Sequence, residues 1–316
     1  VAAIDCGTNS IRLLVADLQV VDGVIALTDV HREMRVVRLG EGVDATGQLS
    51  SAAIERTRLA LTDYAATLRA AGAARVRMAA TSATRDASNR DEFVQMVTAT
   101  LGQAPEVVTG AQEAELSFRG AVGDLDPDTG PFLVVDIGGG STEMVVGSVV
   151  DGQISIAGQL SLDIGCVRIT ERLLRGDPPT ADERSAAQDW AAGVLAAGLD
   201  ALPMSTVRRL IPVSGTAITV AAAALGLTTA DPAQIHLARI GSERVHEVAQ
   251  MLLDATRADR AALGYMHPGR VDVIGGGAMI LSTLVALVQQ RVGPDFTPGI
   301  TVSEHDILDG LALSLG

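Results

Sequence analysis

At 316 residues, with a formal net charge of −14, 47% apolar side chains and only 2% aromatic ones, the chain has the length for two domains whose cores are built from Val, Leu, Ile and Ala. All 24 basic residues are Arg, so Schiff-base and P-loop lysine chemistry is excluded, and cationic catalysis falls to Arg or to metal. The acidic balance argues against non-specific binding to nucleic acid or to anionic membranes.

Cys6 and Cys166 have neither CxxC nor His-paired spacing, so no zinc site or disulfide framework is expected. The longest small-apolar run, 217–227, is about half of a membrane span. With no secretory signal ahead of the first strand, a cytoplasmic location is expected.

Apolar runs near 1–5, 11–18, 23–30 and 34–39 predict a meander of strands, broken at Asp22-Gly23 and Gly40-Glu41-Gly42. An amphipathic helix over 50–72 follows, with Ile54, Leu61, Tyr64 and Leu68 on one face. Residues 75–81 read as a strand, 88–102 as a helix with Ser88 and Asp91 as a capping pair, 107–108 as a short strand and 110–122 as a helix. The turn-rich segment 124–131 is the predicted boundary. It separates an N-terminal domain, 1–124 plus 301–316, from a C-terminal domain, 125–300.

The second half starts again with strand, Gly-rich turn and strand, then another strand at 153–160. A helix opens at Thr180, with Glu183 closing a capping box. A strand at 210–213 leads into Ser214-Gly215-Thr216 and an Ala-rich helix. A strand at 271–274 leads into Gly275-Gly276-Gly277 and a helix over 278–292. The tail, 303–315, reads as a capped helix that returns to the first domain.

One pattern occurs twice. Asp5-Cys6-Gly7-Thr8-Asn9-Ser10 and Asp136-Ile137-Gly138-Gly139-Gly140-Ser141 each follow an apolar strand and precede another. Counted from each Asp, Gly falls at +2, Ser at +5 and a charged residue, Arg12 or Glu143, at +7. Each copy reads as a hairpin with a tip of small residues. Gly allows close approach of the backbone, and successive N–H groups make a concavity for phosphate oxygens. An Asp at the end of the incoming strand adds a ligand for a hard cation.

The repeat and its crossover helices resemble the actin-like ATPase superfamily, whose α/β chains fold as two ribonuclease-H-like domains around a central interdomain cleft. Within it, six ordered runs are similar to the exopolyphosphatase/guanosine pentaphosphate phosphatase family. Besides the two loops with their following strands, these are Thr81-Ser-Ala-Thr-Arg-Asp-Ala-Ser-Asn89, Thr109-Gly-Ala-Gln-Glu-Ala-Glu-Leu-Ser-Phe-Arg-Gly120, Ser214-Gly-Thr-Ala217 and Gly269-Arg-Val-Asp-Val-Ile274. The family usually has two consecutive Glu before Ala114, where this chain has Gln112-Glu113. That departure touches only the first, non-catalytic position.

The resemblance implies a division of roles. Glu113 is the general base, although from the residues alone it reads as a helix-start Glu stabilised by the macrodipole. Arg85 is a clamp on the scissile phosphate, against a reading as an exposed helix-start Arg. Asp5, Asp136 and Glu143 are Mg²⁺ ligands, with Mn²⁺ not distinguished. Gly138, Gly139, Gly140 and Ser141 bind the terminal phosphate, and Gly7, Thr8, Asn9 and Ser10 face them from the other domain. Arg12, Arg38 and Arg270 read either as contacts to more distant phosphates or as surface ion-pair partners.

The five histidines have no HxH or HExxH spacing, so no metal centre is expected on them, and the scattered aromatic residues offer no platform for single-stranded nucleic acid. The expected activity is Mg²⁺-dependent release of orthophosphate from the end of inorganic polyphosphate. Short chains are expected to be favoured, because the sequence has no room for the extra C-terminal helical domain of some family members. The alternatives are hydrolysis of pppGpp, phosphoryl transfer by a kinase of the same superfamily, and a non-catalytic sensor of polyphosphate or alarmone. The surface composition favours no assembly, and a homodimer is compatible with it.

Overall fold

Ala2–Cys6 is buried at every position, as a strand covered on both faces must be, and it forms β1 inside a five-stranded sheet. The structure, a computed structural model, describes residues 1–21 and 24–316. The break expected at Asp22-Gly23 lies outside the described residues. β2 (Ser10–Val21) and β3 (Val24–Val36) continue antiparallel from β1. β4 (Val76–Ala80) runs parallel to β1, and β5 (Glu106–Val107) parallel to β4, giving the order β3-β2-β1-β4-β5.

Along this stretch lie helices α1 (Val43–Thr46), α2 (Ser51–Ala70), α3 (Ser82–Asp86), α4 (Arg90–Leu101) and α5 (Gly110–Ala121). Strand alternation sends Ala2, Ile4 and Cys6 into a core with Leu61 and Tyr64 of α2 and Phe93 and Val97 of α4. Ala3 faces a second core with Leu116 of α5. By the same alternation Asp5 shares the face of Ala3, the side that α5 covers.

A second sheet repeats the plan. β6 (Phe132–Ile137), β7 (Thr142–Val150), β8 (Gln153–Leu162) and β9 (Arg209–Val213) take the order β8-β7-β6-β9, with the first three antiparallel and β9 parallel to β6. Its helices are α6 (Cys166–Leu173), α7 (Ala181–Asp200), α8 (Ser214–Ala224), α9 (Pro232–Ile235), α10 (Ser242–Asp254), α11 (Arg257–Ala261) and α12 (Ile274–Gln289). β10 (Arg239–Ile240) pairs with β11 (Ile300–Thr301) in a separate two-stranded sheet. Leu133, Val135 and Ile137 of β6 pack with residues of α7, α8, α10 and α12 in one core. The predicted capping box of Thr180 and Glu183 starts α7.

The chain divides into two compact units, Val1–Gly120 with Ile307–Gly316, and Ala121–Asp306. The return segment ends in α13 (Ile307–Leu313), whose Ile307, Leu308, Leu311 and Ala312 complete the core around Ala3, Leu14 and Leu116.

Close to both chain crossings, within the second unit, Asp124 Oδ2 lies 2.7 Å from His305 Nδ1 and 3.4 Å from His236 Nε2. Hydrogen bonds from the two rings hold the Asp124 carboxyl well below the usual carboxylate range. The Glu304 N–H donates to His236 Nδ1 at 3.2 Å. The neutral His236 ring therefore carries its proton on Nε2, facing Asp124, and offers no lone pair there to a metal. Sequence spacing gave no sign of this cluster, because its three members come from distant segments.

Three local expectations are corrected. Residues 271–273 are not a strand, and α12 begins at Ile274 and takes in the three glycines. A β-carbon on Gly276 would lie 2.6 Å from Ile169 Cγ2, and one on Gly277 2.6 Å from Thr216 Oγ1. These glycines thus serve close helix approach rather than a turn. Ser88 does not cap α4: its Oγ donates to the Gly47 carbonyl, and Asn89 precedes the first helical turn. The tail helix starts at Ile307 rather than at 303, because Ser303 and His305 bond to one another in a local turn.

Gly310 sets the approach of α13 to α5, since a β-carbon there would fall 2.0 Å from the Leu116 carbonyl oxygen. Gly310→Ala should destabilise the protein by about 1–3 kcal/mol through overpacking. Gly193, exposed in α7 with open space around its missing β-carbon, is the contrast. Gly193→Ala should add about 0.5–1 kcal/mol of helix preference. Thermal unfolding of both variants checks the two signs.

Candidate functional site

The two repeated loops close in the same way. Gly7 N–H donates to the Ser10 carbonyl at 2.9 Å, and Gly138 N–H to the Ser141 carbonyl at 3.0 Å. In each copy the segment that packs against the loop captures its carbonyls. In the first, Gly40 N–H takes Thr8 O, and the N–H groups of Val37 and Arg38 take Asn9 O. In the second, Cys166 N–H takes Gly138 O at 2.9 Å, and Val167 and Arg168 N–H take Gly139 O at 2.9 and 3.1 Å. Arg168 Nε–H takes Gly140 O at 2.7 Å.

A trans peptide points its N–H opposite to its C=O. Capture of three successive carbonyls by α6 therefore turns the N–H groups of Gly139, Gly140 and Ser141 away from α6, side by side. Such a row of amides is a receptor for phosphate oxygens. The first loop turns the N–H groups of Asn9 and Ser10 in the same manner. The fit is tight: a β-carbon on Gly165, just ahead of α6, would lie 2.4 Å from Gly139 O and 2.7 Å from Gly140 N.

The +7 residue lies directly across the hairpin from each Asp. Asp5 pairs in register with Arg12, and Asp136 with Glu143. In the first unit the pair neutralises itself, with Arg12 Nε and Nη2 reaching Asp5 Oδ2 at 3.0 and 2.7 Å. In the second unit two carboxylates, only 7% and 2% exposed, face one another, and Ser161 Oγ donates to Glu143 Oε1 at 2.7 Å. Like charges directly opposite repel. Two buried carboxylates at neighbouring positions of one hairpin offer oxygen ligands of the kind a hard divalent cation takes.

Arg270 sits at the end of a short 3₁₀ turn, with its guanidinium flat on Gly215. A β-carbon there would fall 2.3 Å from Arg270 Cζ. Burial pushes the Cys166 thiol up to about 11 even against the charge of Arg270, so it stays protonated and inert. Ser214 starts α8 at φ 64, buried, with its Oγ donating to Asp306 Oδ2 at 3.1 Å.

In the first unit, Thr8 Oγ1 and Ser82 Oγ are 2.8 Å apart, which ties the loop to the start of α3. Arg85, at the end of α3, directs Nη1 to Val108 O at 3.1 Å and to Glu113 Oε2 at 2.9 Å. The sequence reading makes Arg85 a phosphate clamp and Glu113 the base, and the structure joins the two as an ion pair with Glu113 8% exposed. It likewise joins Asp5 to Arg12, where the sequence reading gives one to metal and the other to substrate. Gln112 caps its own turn by accepting from Thr109 N–H at 2.9 Å.

Sequence reasoning missed Gly165, Arg168 and Ser82. Each acts on a loop far away in the chain, and no local spacing marks it.

The sequence matches the Ppx/GppA phosphatase family over residues 18–313. It is 52% identical over 320 residues to exopolyphosphatase 2 of Mycobacterium tuberculosis, covering 100% of this chain and 98% of that protein. A solved exopolyphosphatase-like protein superposes with a TM-score of 0.92 at 39% identity, over 100% of this chain and 98% of the other. The Aquifex aeolicus member of the Ppx/GppA family superposes with a TM-score of 0.79 at 28% identity, over 99% and 96%. The architecture is accordingly that of the two-domain actin-like ATPase fold, with the repeated strand order in each unit.

The loop geometry makes Gly165 indispensable. Gly165→Ala should lower the affinity for tripolyphosphate at least tenfold by displacing the Gly139–Gly140 peptide, with little change in far-ultraviolet circular dichroism. Calorimetric titration checks the loss.

Proposed function

Because the chain belongs to the Ppx/GppA phosphatase family, we propose that it is an exopolyphosphatase, a hydrolase that releases orthophosphate from the end of inorganic polyphosphate with the help of Mg²⁺. The observation that carries this reading is the row of amides in the second loop beside the opposed pair Asp136 and Glu143. It is a receptor for a phosphoryl group next to a seat for a cation. The full-length relative named exopolyphosphatase 2 supports polyphosphate as the substrate.

Asp136 and Glu143 would hold Mg²⁺, or Mn²⁺ in its place. When bound, it would supply positive charge to offset the charge of the phosphoryl oxygens. The N–H groups of Gly139, Gly140 and Ser141 hold the terminal phosphate where its charge develops. In this reading the first loop, Gly7 to Ser10, would offer the amides of Asn9 and Ser10 to further phosphates. Arg270, laid on Gly215, is assigned to phosphates further along the chain, where a planar fork fixes orientation as well as charge.

Glu113 takes the proton of the attacking water. A carboxylate has two oxygens and about four lone-pair sites, so Oε2 keeps Arg85 while the group accepts the proton. Arg85, itself steadied by Val108 O, then orients the base. Asp5 and Arg12 brace the first hairpin through their own pair. This reading requires both half-sites to act on one substrate.

We place the protein in the cytoplasm. Cys6 and Cys166 are free and buried, which suits a reducing compartment. Among the described residues no helix is long and apolar enough to cross a membrane.

Phosphate release from tripolyphosphate, long-chain polyphosphate, pppGpp and ATP, with and without Mg²⁺, tests the assignment. Metal-dependent release from polyphosphate is expected. Turnover of pppGpp alone would assign an alarmone phosphatase, and transfer from ATP to an acceptor a kinase. Glu113→Gln should lower kcat by about 10²–10⁴-fold, the usual contribution of general-base catalysis, with polyphosphate binding retained.

A further inference from the structure

The two loops are held by different means at one equivalent place. At +4 from each Asp stand Asn9 and Gly140. Asn9 O is fixed by two backbone donors, Val37 and Arg38. Gly140 O is fixed at 2.7 Å by the side chain of Arg168. The other two carbonyls of the second loop are taken by backbone N–H groups of Cys166, Val167 and Arg168, which any residue but proline at those positions would supply. Among these three peptides, the one that carries the Ser141 N–H is held through a particular side chain.

That peptide follows a glycine, whose backbone rotates between conformations at little cost. If it turned over, a carbonyl oxygen would replace the Ser141 N–H and repel the phosphate. We propose that Arg168 is a positioning residue for the phosphate reaction: its Nε–H pins the Gly140–Ser141 peptide so that the Ser141 amide faces the terminal phosphoryl group. This assignment rests on the exopolyphosphatase reading. It goes beyond that reading by naming a residue which needs no contact with substrate.

The geometry sets the chemistry of the test. Nε–H lies along the side chain, so an ammonium at the end of a lysine stem does not reproduce the bond, whereas a free guanidinium ion entering the vacated space does. Removal of a single donor aimed at developing charge lowers kcat by about 10²–10³-fold.

Arg168→Ala, Arg168→Lys and wild type are compared for phosphate release from tripolyphosphate, for tripolyphosphate binding by calorimetry, and for thermal unfolding. Both variants should lose kcat by about 10²–10³-fold, while KM rises less than about tenfold because the neighbouring amides remain. Methylguanidinium should restore at least tenfold to Arg168→Ala, and methylammonium should not.

A folded Arg168→Ala enzyme with unchanged kcat overturns the proposal. So does a loss that methylguanidinium leaves untouched in a folded protein. If Arg168→Ala does not fold, Arg168→Lys decides by the same kcat criterion. Wild type that neither hydrolyses nor binds tripolyphosphate refutes the function itself, and this assignment falls with it. A defect confined to the variants cannot arise that way.

Discussion

The structure depends on where the carbonyls of two short loops point. An amide is a donor on one side and an acceptor on the other, so a phosphate receptor made of backbone needs its acceptor side occupied by protein. The second loop meets this with the first turn of α6, whose N–H groups have no partners within the helix. The first loop meets it with the segment from Val37 to Gly40. Gly165 is there because the opposing backbone comes too close for a β-carbon, and Gly40 because the Thr8 side chain does.

The same constraint explains how a chain of net charge −14 can address a polyanion. In the proposed site oriented amides would supply the local donors, and distant carboxylates are screened beyond roughly 8–10 Å at physiological salt. Where carboxylates do stand close, the two units treat them differently. Asp5 meets Arg12 across its hairpin, while Asp136 pairs in register with Glu143. The repeat therefore keeps its backbone and changes the residue across the hairpin, Arg12 in one copy and Glu143 in the other.

Much of this was legible in the sequence. The Asp-to-Ser spacing of both hairpins, the strands around them, the capping box at Thr180 and the helix carrying Glu113 all depend on local periodicity and turn chemistry. The partners of the site residues were not legible. That Arg85 meets Glu113 and that Arg168 holds Gly140 are consequences of tertiary packing between segments 28 residues apart, while the Asp5–Arg12 pair follows from the register of one hairpin. The triple glycine misled for the opposite reason. Its pattern is that of a turn, and only the proximity of Ile169 and Thr216 makes it the opening of a helix.

The closing helix has a bearing on biogenesis. Ile307, Leu308, Leu311 and Ala312, among the last ten residues of the chain described here, fill the core beneath Ala3 and Leu14 at its beginning. Translation runs from one end to the other, and domains fold as units as they emerge. The unit that contains Glu113 therefore closes its interior only after residues 307–312 have been made, although it is started first. The unit bearing the second loop, 121–306, has all of its residues made before those.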